Sequence, residues 1–430
     1  MKSTVIKRFC ALYILVMISQ WVTAQDTPVI QNQEQKTAEK LKTRKVGVAN
    51  VLFSGVLLQN KDKNQVWYFP NVFEWFPANT VEGFVVNPQL VFTQNLKGGR
   101  FFSIHPNLRY GVGNERFHLQ LKTQYYYQSS TNGSLVVSGG RGIEQLFRES
   151  TLSALNNTLY TFTLDENFLK IYERSYVELQ HAFSPLQNFL LTTGLSYNER
   201  KPLSNLPRYE EDEKFTSNNP ENAELMNTAF VAHKAVLFEA RLRWQIGHRR
   251  LRKQGQLISE GKYPALTIHY AHATDDILGG ELSYQKLAFS IQDEFKLGKG
   301  YGKGFVEAGD FLSKDNLTFI DFKHFKGKET VYGTYDNDQF QLLEYYRNST
   351  AEFYIQGHYE HFFGPIRGGA KSKFQPVASL HYLYTDSGGQ YVEVGIGMDR
   401  ILKYWRIDFY NSWRKGEHEN FGLRLGLRWD

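Results

Sequence analysis

The sequence predicts an all-β fold: a transmembrane antiparallel β-barrel of about 16 strands, with about 14 to 18 as the range. Three observations predict it. Segments of about ten residues alternate apolar and polar side chains through most of the chain and are separated by turn residues. Aromatic residues are abundant, with 32 Phe, 26 Tyr and 7 Trp among 430 residues, as suits strands and both membrane interfaces. Only one apolar run approaches the length of a membrane helix, and it lies at the extreme N-terminus.

That N-terminal run reads as an export signal. Lys2, Lys7 and Arg8 form a positive leader, Phe9 to Ile18 an apolar core, and Val22-Thr23-Ala24 a small-residue cleavage site before Gln25. The expected organisation is therefore a signal peptide over 1–24, a polar disordered lead-in over 25–45, and an outer-membrane barrel over 46–430. The formal net charge of +6 falls to +3 without the three leader cations. That is too mild to imply nucleic acid. The single cysteine, Cys10, lies in the leader. The exported chain then has no disulfide and no Cys-ligated metal.

The alternation is clearest at the C-terminus. Leu423, Leu425, Leu427 and Trp429 share one face, and Arg424, Gly426 and Arg428 the other. Two arginines on the inward face suit a wet lumen behind a lipid-facing wall. The apolar series ends one residue before Asp430 and resembles the terminal signal by which barrels are recognised for assembly. Upstream, Phe117, Leu119 and Leu121 oppose His118, Gln120 and Lys122. Val236, Phe238, Ala240, Leu242, Trp244 and Ile246 oppose Glu239, Arg241, Arg243 and Gln245. Leu287, Phe289, Ile291 and Phe295 oppose Lys286, Ser290, Gln292, Glu294 and Lys296, with Asp293 marking a strand end. Val392, Val394, Ile396 and Met398 oppose Tyr391, Glu393 and Asp399, and Ile407 and Phe409 oppose Arg406 and Asp408. So many strands in a soluble sheet would leave unmanaged edges, whereas closure removes them.

Residues 143–174 interrupt the pattern. Ile143, Leu146, Phe147 and Leu155 approximate helical spacing, and Glu166 to Tyr172 reads as a further helical turn or two. A short helical insertion is expected there, lying in the lumen, at a rim or on a long loop. Residues 201–230, with the run Glu210 to Glu213, read as a solvated loop, and Gly298 to Gly304 as a glycine-rich hairpin turn.

No zinc-protease helix or nucleophile elbow occurs, so the chain is not expected to be an enzyme or to carry a cofactor. His358, Glu360 and His361 cluster in sequence, but on a strand His361 points away from the other two, which does not make a three-ligand metal site. The candidate lumen-lining residues are Arg109, Arg241, Arg243, Glu294, His358, Glu360, Arg406, Asp408, Arg424 and Arg428. Their bland role is mutual pairing along the interior wall.

Several stretches resemble a known family: NTVEGF (Asn79–Phe84), RYGVGNERF (Arg109–Phe117), ENFLKIYERSYVEL (Glu166–Leu179), NERKPLSNLP (Asn198–Pro207), residues Asp336–Pro365, and the closing YVEVGIGMDRILKYWRIDFYNSW. The family is a group of uncharacterised Gram-negative outer-membrane proteins. Its members pair an N-terminal carboxypeptidase-regulatory-like sandwich with a C-terminal barrel region. The resemblance implies the barrel and no established activity, and the N-terminal sandwich has no counterpart in this sequence. Tyr263 to Pro365 is also distantly similar to outer-membrane assembly and secretion barrels. Val81-Glu82-Gly83-Phe84, however, places Glu where their lumenal loop motif needs Arg.

These readings lead to an outer-membrane pore or transport-related barrel with a polar lumen. An envelope assembly or structural partner stands as the alternative, and an outer-membrane hydrolase behind both. The expected partners are outer-membrane lipid and, during biogenesis, the barrel assembly machinery, with no nucleic acid.

Overall fold

The computed structural model describes residues 55–427 apart from 129–130, 187, 213–214, 223–224, 226, 247–248, 254–255, 261–263, 334 and 368–372. The expected signal peptide and lead-in, and with them Arg428, Trp429 and Asp430, lie outside the described residues. Among the described residues no helix is long and apolar enough to cross a membrane.

Strands follow one another as an antiparallel meander. β1 (Val56–Asn60) and β2 (Gln65–Phe69) form the first hairpin. After the two-residue β3 (Ala78–Asn79), β4 (Gly83–Val86) and β5 (Val91–Asn95) are pieces of one broken strand, both pairing with β6 (Phe101–Gly111). β7 (Arg116–Gln128), β8 (Gly133–Gln145), β9 (Ile171–Phe183), β10 (Phe189–Pro202) and β11 (His233–Gln245) come next. A separate hairpin, β12 (Arg249–Lys253) and β13 (Gln256–Glu260), precedes β14 (Ala265–Thr274), β15 (Ser283–Leu297) and β16 (Gly300–Asn316). The series ends with β17 (Tyr354–Phe362), the short β18 (Ile366–Arg367), β19 (Lys373–Thr385), β20 (Gly389–Ile401), β21 (Trp405–Arg414) and β22 (Glu417–Leu427). The main sheet has 20 strands; setting aside β3 and β18 and taking β4 with β5 leaves 17, inside the expected range. Among the described residues, β1 and β22 are the two ends of the meander and do not pair with each other.

The polarity of this wall is the reverse of a soluble sheet. Its apolar face is the exposed one: Phe117, Leu119, Leu121, Val177, Leu179, Phe289, Ile291, Leu380, Val394, Ile396, Phe409 and Leu423 all stand open. The opposite face buries Gln356, His358, Glu360, Ser379, His381, Glu393, Arg406, Asp408 and Arg424. Period-two alternation places the two sets on opposite sides, and only a hydrocarbon exterior makes such an arrangement stable. On β21 the outward face runs Trp405, Ile407, Phe409, Asn411 and Trp413, so two indoles bound it roughly 27 Å apart along the strand. Stacked outward aromatics, such as Phe189 on Trp244 and Phe295 on Tyr359, form a girdle towards the short-turn end.

Three sequence expectations need correction. The helical insertion is confined to α1 (Ala154–Leu164), capped by the Ser153 hydroxyl accepting from the Asn156 N–H at 3.1 Å. Ile143 belongs to β8. Residues 166–172 are not helical, because Asp165 takes a left-handed φ of 58° that ends α1, and Ile171 and Tyr172 already pair with Gln145 and Glu144 of β8. Asp293 does not end its strand: it pairs with Gly304, and β15 continues to Leu297. The stretch 298–304 does hold the hairpin turn between β15 and β16, with Gly298 at a positive φ of 57°.

Ile396 is 66% exposed on the outward face of β20. Ile396→Arg is expected to cost about 2–4 kcal/mol if the site is near the bilayer midplane. Urea unfolding in lipid vesicles checks this; an unchanged midpoint would reverse the assignment of faces.

Candidate functional site

The candidate site is the interior, and the segment 317–353 between β16 and β17 fills part of it. This segment reaches strands from both halves of the meander, so the wall wraps around it. At its start, Asp321 accepts from Arg200 of β10 (2.7 Å) and from the Tyr284 hydroxyl of β15 (3.1 Å). Lys323 pairs with Glu307 of β16. Farther on, the Glu393 carboxylate of β20, 0% exposed, accepts the backbone N–H groups of Gln341 (2.7 Å), Leu342 (2.7 Å) and Leu343 (2.9 Å), and the Tyr391 hydroxyl (2.7 Å). Arg424 of β22 donates to the carbonyls of Gln341 (2.5 Å) and Lys328 (3.0 Å). Phe340, fully buried, packs on His358, His381 and Tyr391. A charged wall residue holding backbone amides and another holding backbone carbonyls satisfy groups that burial would otherwise leave unpaired. We call this segment the plug.

Five of the ten sequence-derived candidates come together beside it. Arg406 donates to Glu360 (2.6 Å) and to Asp408 (2.8 Å), all buried, and its guanidinium lies 4.1 Å over the ring of Tyr335 in the plug. His358 is adjacent, its Nδ1 2.9 Å from that of His381. Arg424 anchors the plug as above. The others lie apart. Arg109 pairs with Glu82, the residue that replaces Arg in the loop motif. Arg241 is half exposed and reaches Glu149 at 3.4 Å, Arg243 is exposed, and Glu294 is 3.9 Å from Lys303. Arg428 lies outside the described residues. His361 points away from His358 and Glu360, towards Tyr359 at 3.2 Å. No group of three or more potential ligands able to hold a metal occurs among the described residues.

Sequence reading missed the plug and with it the main partner of Glu393. The available signal was the loss of two-residue alternation through 317–353, between two well-patterned strands. Within the plug, burial pushes the Glu329 carboxyl up to about 7, only partly offset by the N–H of Tyr345 at 2.9 Å. Burial, with Arg424 nearby, lowers the Lys328 amine to about 7.

The chain matches the family described as the C-terminal domain of a family of unknown function (DUF5686) over residues 49–398. No curated protein matches it. Among solved structures, it is similar to BamA from Haemophilus ducreyi lacking POTRA domains 1–3 at 12% identity, covering 86% of this chain and 74% of that one, with a TM-score of 0.44. It is also similar to a mutant porin of Rh. blastica at 10% identity, covering 80% and 90% respectively, with a TM-score of 0.32.

Arg406→Ala leaves Glu360 and Asp408 buried without their shared cation and is expected to destabilise by about 3–5 kcal/mol, read as a lower urea midpoint. Glu329, held above its usual 4.5, contributes its stabilisation in full below about 4.5 and loses it as pH rises through about 7. Limited proteolysis within 317–353 should therefore quicken from pH 5 to pH 7, and Glu329→Gln should flatten that rise. The match over residues 49–398 places the chain in the DUF5686 family, as its C-terminal domain.

Proposed function

We propose that the protein is an integral outer-membrane barrel serving as a gated conduit for a hydrophilic solute or envelope component, with the 317–353 plug as its gate. One asymmetry carries the reading. The later part of the plug, from Lys328 to Leu343, packs on β17, β20, β21 and β22, where inward polar groups are buried. On β7, β11 and β15 the inward Lys122, Glu239, Arg241, Arg243, Glu294 and Lys296 stay exposed. Charged side chains left solvated on one wall suit a water path beside an obstruction, in a barrel wide enough for an aqueous lumen. They also make the interior a mixed-charge surface rather than a selective ring of one sign. The exposed apolar exterior supports residence in a bilayer, and the signal-like N-terminus supports export. On this reading the chain moves material and does not catalyse.

Planar-bilayer recording tests it. The full chain is expected to conduct rarely, and a variant with 328–345 replaced by a short Gly-Ser linker to conduct more by on the order of tenfold. A folded, heat-modifiable linker variant as silent as the parent would overturn the proposal.

A further inference from the structure

We infer that the long-loop mouth of the barrel carries a saccharide-binding cleft between α1 and the residues Arg208, Tyr209, Asp212 and Phe215. The cleft has a volume of about 350 Å³, within the range of small-molecule sites. Its aromatic wall is Phe162, Tyr209 and Phe215. Phe162 stands on the outer face of α1 and is 65% exposed. Tyr209 and Phe215 meet edge to face, with centroids 4.9 Å apart at 73°. Arg208 lies 4.6 Å over the ring of Tyr209, and Asp165 and Asp212 complete the lining.

This combination selects a ligand chemistry. A ring face is electron-rich and accepts the weakly positive C–H edge of a pyranose, which a flat apolar ligand does not need. Carboxylates accept, and a guanidinium donates, in geometries that match neighbouring hydroxyl pairs. One arginine beside two carboxylates leaves a net charge of −1, which disfavours an anionic polymer. Three partly open rings around one concavity are also costly in water unless something covers them. The position agrees with the chemistry. α1 and the 203–232 connection belong to the end of the barrel with the long loops, the outward end in barrels of this type. There a glycan is met before the plug. α1 holds its place through Asn157, which is buried and accepts the N–H groups of Phe168 (2.9 Å) and Leu169 (3.0 Å). Thr158, also buried, accepts the N–H of Ala78 at 2.8 Å. The cleft wall is therefore preformed on one side.

Calorimetric titration of the detergent-solubilised full chain with maltohexaose, cellohexaose and mannohexaose tests this, with hexagalacturonate as the charged comparison. At least one neutral hexaose is expected to bind. Tyr209→Ala and Phe162→Ala are each expected to weaken it about tenfold or more while heat-modifiable migration is unchanged. Should a variant fail to fold, a photoreactive derivative of the binding hexaose on the parent protein is expected to label 162–165 or 208–215. The inference fails if no neutral hexaose binds by about 10 mM, if hexagalacturonate binds as tightly, if both variants bind normally, or if the label lands elsewhere.

Discussion

One buried carboxylate orders the interior. Glu393 presents two oxygens to three consecutive backbone amides of the plug, a geometry that a chain can satisfy only in a tight, fixed turn. A carboxylate buried this deeply is costly unless hydrogen-bond donors match its oxygens. The amides of 341–343 supply those donors, and Arg424 takes the carbonyls of Gln341 and Lys328 on either side of the same turn. The seating of Phe340 and the stacking of Tyr335 over Arg406 follow from that placement. The wall without the plug, or the plug without the wall, would leave ions and peptide groups unmatched.

The wall divides into two electrostatic regimes. Along β17 to β22, charges are paired at short range and shielded, as with Glu360, Arg406 and Asp408. On β7, β11 and β15 the charges of Lys122, Glu239, Arg241, Arg243, Glu294 and Lys296 face solvent, where pairing is worth little. The same residue types thus serve cohesion on one stretch of the wall and hydration on another.

Much of the wall was legible in the sequence because a strand's two faces meet two different solvents. Phe409 between Arg406, Asp408 and Ser412 tells its own orientation, and Val394 beside Glu393 does the same. The plug was illegible because its signal is not periodic. Its residues are chosen to match Glu393, Arg424 and Arg200, three positions far apart in the chain, and nothing local announces such matches. The spacing of Leu146 and Phe147 suggested a helix for a related reason: these side chains fill a cavity beneath the plug, packing near Phe319 and Tyr346, and core filling produces apolar spacing in irregular backbone as readily as in a helix. Asp293 misled because a polar residue at the edge of the apolar band reads as an end when it is only a change of depth.

The last strand has an edge that its hairpin partner does not use. Leu425 of β22 donates its N–H to the carbonyl of Val331 at 2.9 Å and accepts from the N–H of Gly333 at 3.3 Å, so a few residues of the plug lie against that edge as a parallel strand. Withdrawing the plug therefore exposes main-chain valences on the terminal stave as well as emptying the lumen. The seat of the plug and the covering of the sheet's last edge are therefore held by one shared contact, and a change that shifts either must do work against both.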